Sequence, residues 1–203
     1  MIRDYALASS GLLVRKIGGP SVKPYMPDGV WEAVAMIGSN TRDYRRDTGE
    51  KLYRRSMYTF WKRAAPPASM DILNAPNRET CTTRRERTNT PLQALVLLND
   101  PTYVEASRKF AERLLTEAQS DKQRIDLAFQ LAMARPPSER ELALLLRIYQ
   151  EQIAVYRQNH EAASKLLSVG ESVHNESLDD AELAAWTIVA SVILNLDKTI
   201  TKG

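Results

Sequence analysis

Residues 54–99, RRSMYTFWKRAAPPASMDILNAPNRETCTTRRERTNTPLQALVLLN, divide the chain into two kinds of sequence. Eight of the ten prolines lie at or before Pro101, and of the eight glycines only Gly170 and Gly203 lie beyond it. Gly and Pro interrupt regular structure, so their depletion after this stretch lets long helices run. The change begins at Thr90-Pro91-Leu92-Gln93. Thr supplies a capping hydroxyl, Pro fits the first turn where no N–H is needed, and Gln reaches back to the cap. This predicts a short helix ending at Asn99.

The helical pattern continues from there. Asp100-Pro101 opens a helix with Tyr103, Ser107, Phe110 and Leu114 on one side. Asp121 is expected to cap the next, through Ile125, Ala128, Phe129 and Ala132. After Pro136-Pro137, Ser138 and Glu141 form a capping box for the longest helix, with a stripe of Leu142, Leu145, Leu146, Tyr149, Ile153 and Tyr156. Residues 169–178 read as a polar loop. Asp179 or Asp180 then caps a last helix, residues 182–196, which is apolar nearly all round and is expected at the centre. That run is shorter than the ~20 apolar residues a membrane span requires.

Before the dividing stretch the reading is different. Residues 2–17 follow helical spacing through Ile2, Tyr5, Ser9, Leu12, Leu13 and Lys16, and Gly18-Gly19-Pro20 is expected to stop them. Pro20, Pro24 and Pro27 keep the chain extended. Asp28 is placed to cap a short helix through Trp31, Ala35 and Met36, followed by a polar loop over residues 37–51. Residues 56–61, SMYTFW, are β-prone and predict a strand, and residues 64–77 read as irregular. The expected architecture is mainly α. A proline-rich, loop-rich N-terminal layer with at most short strands covers residues 1–90, as the tail of a domain continuing upstream. A helical bundle covers residues 91–203.

With 43% apolar and 26% charged residues in a 203-residue chain, the composition is globular. The formal charge of +3 argues against a nucleic-acid binder, although the basic residues gather between Arg42 and Arg87. Cys81 is the single cysteine, which leaves no disulfide framework and no CxxCH site. The start, MIRDYALASSGLLVRK, lacks the uninterrupted apolar core and cleavage site of a signal peptide. Met1 sits directly on the helical pattern without a capping residue, so the first helix is expected to enter from upstream.

Several motifs together carry a resemblance: residues 18–25 (GGPSVKPY), 27–34 (PDGVWEAV), 53–63 (YRRSMYTFWKR) and 87–95 (RTNTPLQAL), with Ala184-Ala185-Trp186-Thr187 and Leu194-Asn195-Leu196-Asp197 near the end. In these the chain resembles the planctomycete-specific C-terminal domain of unknown function found in large exported proteins, essentially from end to end. Larger members of that family add an export signal, a cytochrome c-like domain with a CxxCH haem motif and a second uncharacterised domain upstream. The resemblance implies that this chain is the C-terminal portion of such a protein, with an exported or periplasmic location. It implies upstream domains of the same protein as partners, and haem only in an upstream domain. It brings no established catalytic residues, so the chain's own cofactor set is expected to be empty.

The sharpest candidate site is Arg54, Arg55, Arg78, Arg84, Arg85 and Arg87, with Asn89, Thr90 and Gln93 at the following helix start. Guanidinium forks grip carboxylate, sulfate or phosphate, and a helix N-terminus adds N–H donors and positive potential. That chemistry suits an acidic partner or an anionic polysaccharide. The same arginines could instead satisfy carbonyls of a loop region, together with Glu79, Glu86 and Asp100. Tyr58, Phe60 and Trp61 beside Lys62 and Arg63 form either an aromatic-basic surface or core packing. Cys81 is expected to be a buried structural thiol, and His160 and His174 to lie on the solvated surface, which leaves no metal site. Asp28 with Glu32, and Asp100 with Glu105, are the nearest carboxylate pairs, but both aspartates have capping roles. The reading is a non-catalytic module, the alternative a fragment of a carbohydrate-processing enzyme whose other residues lie upstream.

Overall fold

The computed structural model describes residues 1–77, 79–84, 86 and 88–201. Among these the chain is mainly α, with no sheet. It forms two compact units, one of Met1–Leu12 with Leu97–Gly203, the other of Leu13–Val96.

In the first unit each long helix starts where a side chain can satisfy its free N–H groups. Asp100 caps α4 (Pro101–Glu117) by accepting from Thr102 N–H at 2.9 Å. Helix α5 (Asp121–Met133) is capped by Ser120 and not by Asp121. Ser120 and Gln123 form a reciprocal box at 3.3 Å each way, which an Asp one residue later cannot make. Ser138 and Glu141 cap α6 (Glu139–Gln158) as expected. Asn159 opens α7 (His160–Leu167), a helix the sequence reading left out, and Asp179 caps α8 (Asp180–Leu194). A short α9 (Asp197–Ile200) follows.

The stripe Tyr103, Ser107, Phe110 and Leu114 of α4 is buried. Helix α8 lies at the centre, packed on α4, α5, α6 and α7, with Leu183, Trp186, Val189 and Ile193 fully inside. Its many alanines let neighbouring helices approach closely, and Tyr149 of α6 stacks on Trp186 with ring centroids 4.9 Å apart. Helix α1 (Ile2–Ser10) joins this unit by packing on α4 and α5, and Tyr5 Oη donates to the carbonyl of Ala132 at 2.5 Å. It stops at Gly11, φ +80, whose N–H returns to Ala8, so the expected continuation to residue 17 does not occur.

The second unit is rich in turns, and Leu52 and Trp31 are essentially buried in it. The predicted strand at residues 56–61 is absent. Residues Ser56–Tyr58 form a 3-10 turn, and the run pairs with Val22 alone: Val22 N–H donates to the Tyr58 carbonyl and Phe60 N–H donates to the Val22 carbonyl, at 2.8 Å each, on either side of Thr59. A β-prone run becomes a strand only where a second extended segment lies alongside, and here the pairing is one bridge long. The helix expected after Asp28 contracts to a 3-10 turn, Glu32–Val34, without a side-chain cap. Conversely, α2 (Ala68–Ile72) forms inside the stretch read as irregular. Helix α3 (Pro91–Asn99) begins and ends as predicted.

Candidate functional site

Formal charge divides between the two units. Leu13–Val96 holds fifteen Lys and Arg against eight Asp and Glu, a net +7, while the remaining residues hold thirteen against seventeen, a net −4. The small overall charge therefore conceals a strongly basic unit.

The candidate residues do not share one role there. Arg54 is 3% exposed. Its guanidinium donates to the carbonyls of Lys16 at 3.1 Å, Pro20 at 3.2 Å and Gly18, and lies over the Tyr58 ring. Arg54 thus ties down residues 16–20, the internal role open to it from sequence. Gln93 is also buried. Its Oε1 accepts from Thr90 N–H at 3.1 Å and Thr90 Oγ1 accepts from Gln93 N–H at 3.3 Å, the reciprocal box predicted at the start of α3. Gln93 Nε2 donates to the carbonyl of Ile72 at 2.9 Å and to Thr88 Oγ1 at 2.8 Å. With these bonds made, and with Pro91 bringing no N–H, the donors at Gln93 and Ala94 are taken by Thr90.

Arg55, Arg84 and Asn89 are exposed. Arg78, Arg85 and Arg87 lie outside the described residues. Of the acidic partners expected for this cluster, Glu79 instead accepts from Arg63 at 3.1 and 3.3 Å, and Asp100 is committed to capping α4.

Phe60 and Tyr58 of the half-buried aromatic run make internal contacts. Phe60 lies 5.5 Å from Trp31 between ring centroids. Lys62 sets its ammonium 4.8 Å from the Trp31 ring and donates to the carbonyl of Thr41 at 2.8 Å. The Tyr58 hydroxyl accepts from Gly18 N–H at 2.9 Å.

Three further expectations change. Cys81 is exposed, not buried, because the surrounding loop contributes no apolar cover. His160 is exposed as expected, but His174 is half-buried, with Nε2 3.6 Å from Asp180 Oδ1 at the first residue of α8. Glu105, paired with Asp100 on sequence grounds, is 1% exposed and serves a different purpose. Its Oε1 accepts from the N–H groups of Glu171 at 2.9 Å and Ser172 at 2.6 Å.

Beside Glu105, the buried Arg108 guanidinium donates to the Ser172 carbonyl and to Ser172 Oγ at 3.0 Å, and stands 3.5 Å from Glu112. Lys109 closes the set, donating to Glu112 and to the Val173 carbonyl at 2.7 Å each. This clasp holds residues 169–173 against α4. The sequence carried its signal, since Glu105, Arg108, Lys109 and Glu112 are spaced to share one helix side. Among the described residues no group of three or more His, Cys, Asp or Glu is placed to hold a metal ion. No helix among them is long and apolar enough to cross a membrane.

Fold and site define a mainly α chain carrying a basic, loop-rich unit. It belongs to the family described as PSD1, protein of unknown function (DUF1553), whose model matches residues 1–149. The match ends within α6, so the closing motifs around Trp186 and Leu196 lie beyond it. No curated protein and no solved structure matches the chain.

Proposed function

We propose that this chain is the C-terminal module of a larger exported, cytochrome-associated protein of planctomycetes and their relatives. In that setting its loop-rich unit docks an acidic partner surface or an anionic polysaccharide. The observation that carries the docking is the +7 formal charge of Leu13–Val96, against −4 for the remaining residues, with Arg55 and Arg84 in solvent. Long-range attraction of this kind gathers an anionic ligand, and guanidinium forks then bind its carboxylates or sulfates in pairs. Within the candidate set the labour is divided. Arg54 and Gln93 hold the scaffold, while Arg55 and Arg84, with their sequence neighbours Arg85 and Arg87, meet the ligand. The exported, cytochrome-associated setting rests on the motif resemblance, and haem belongs to an upstream domain.

The test is the variant Arg55→Ala/Arg84→Ala/Arg85→Ala, titrated with dextran sulfate and with the upstream domains of the same protein. Loss of binding with an unchanged melting temperature supports the reading. Unchanged affinity, or a loss explained by unfolding, contradicts it. An in-frame export signal and CxxCH motif upstream of residue 1 would support the setting.

A further inference from the structure

Residues 34–46 read VAMIGSNTRDYRR, and their apolar members stand in water. Val34 is 48% exposed, Met36 85% and Ile37 91%. Single exposed apolar residues are ordinary, but Met36 and Ile37 side by side on one turn, close after Val34 at the end of the preceding 3-10 turn, call for a partner.

The tip is held in place from beneath. The Met36 carbonyl accepts from Ser39 N–H at 3.1 Å and Gly38 has φ +86, the hallmarks of a type II turn with Ile37 at its leading corner. A second turn follows, with the Ser39 carbonyl accepting from Arg42 N–H at 3.2 Å. Lys62 grips the loop through the Thr41 carbonyl at 2.8 Å. Tyr44 packs edge-on to the buried Trp31 at 4.9 Å and donates to the Pro24 carbonyl at 2.6 Å. In the same segment Arg42, Arg45 and Arg46 are all exposed, the Arg46 guanidinium lying 4.9 Å from the Tyr25 ring centroid, and Asp43 is the one acidic residue between positions 33 and 46.

We infer that this turn is an anchor for the surface of an anionic phospholipid bilayer. Met36 and Ile37 enter the boundary between headgroups and acyl chains, and the three arginines meet headgroup phosphates. Charge and shape both favour this occupant. Interfacial segments bury apolar side chains roughly 5–10 Å deep and gain attraction from each basic residue at the headgroup level, and residues 36–46 supply both kinds of side chain. A stable protein interface instead buries about 1,200–2,000 Å² with complementary shape, more than three side chains on a turn can supply. The inference is independent of polyanion docking, since a dissolved polysaccharide would use arginines and leave Ile37 in water.

The test is co-sedimentation of the full chain with vesicles of phosphatidylcholine alone and of phosphatidylcholine with about one-third phosphatidylglycerol. The chain is expected to pellet with the anionic vesicles. Met36→Asp/Ile37→Asp and Arg42→Ala/Arg45→Ala/Arg46→Ala should each lower partitioning by about tenfold or more. The first of these should keep the wild-type melting temperature and dextran sulfate affinity. Ile37→Cys carrying an environment-sensitive dye, in a Cys81→Ser background, should shift to the blue on vesicle addition. Absence of pelleting, pelleting unaffected by the aspartates, or an unshifted dye would overturn the inference. So would tip-dependent dimerisation without vesicle binding, which would make the turn a contact between copies.

Discussion

The guanidinium carbon of Arg54 lies 4.0 Å from the centroid of the Tyr58 ring, and the hydroxyl of that ring accepts from Gly18 N–H at 2.9 Å. Ring and cation therefore both bind residues 16–20. The first prediction follows from the carbonyls of Lys16, Gly18 and Pro20, which receive the Arg54 donors. Arg54→Met keeps the bulk of the stem but removes those donors. It should destabilise the chain by about 2–4 kcal/mol. Thermal melting checks the loss, and amide exchange should rise first in residues 16–20.

At Gly170 the backbone has φ +91 and any Cβ would run into the Glu105 carboxyl group. Gly170→Ala should destabilise by about 2–4 kcal/mol, from left-handed strain and overpacking together. Glu105→Ala removes the obstacle, so the two substitutions combined should cost less than their sum. A double-mutant cycle in urea measures this. Strict additivity would show that residues 169–173 are not held as described.

Gln93 serves α3 as a cap and reaches the Ile72 carbonyl at the same time. Gln93→Ala should destabilise by about 1–2 kcal/mol. Polyanion affinity should be unchanged once folding is allowed for, since the side chain is spent internally. A specific loss of affinity at constant stability would return Gln93 to the binding surface.

The bidentate bond from Arg135 to Glu141, at 2.6 and 2.9 Å, holds the Glu141 carboxyl at about 2 against an ordinary value of 4.5, helped by Ser138. A folded pKa below the unfolded one contributes stability above the ordinary value, and this is lost as pH falls toward the folded one. With partial exposure screening the pair, the contribution should be about 1 kcal/mol at neutral pH. Glu141→Gln should lower the melting temperature at pH 6, and the difference from wild type should vanish between about pH 4.5 and 2.

Local chemistry made much of the helical unit legible in advance. The boxes at Thr90–Gln93 and Ser138–Glu141, and the Asp100 and Asp179 caps, involve residues two or three apart, so the sequence alone displays them. What escaped depends on distant partners. SMYTFW has strand-prone residues but only one bridge to Val22, and Arg54 finds carbonyls 34 to 38 positions away. Two misses were readable. Gly11 stops α1 with the left-handed geometry glycine favours, and Asn159 caps α7 with Ala163 and Leu167 on its inner side. Cys81 was placed inside on the habits of its residue type, which a loop without apolar cover does not follow.

The charge division between the two units is where the proposed docking stands or fails. The direct measurement is titration of the intact chain with dextran sulfate at low and high sodium chloride. Binding at about 50 mM that weakens by tenfold or more at about 300 mM is the predicted result, since salt screens exposed charge over about 10 Å or less. No binding at low salt, or one affinity at both concentrations, would contradict it.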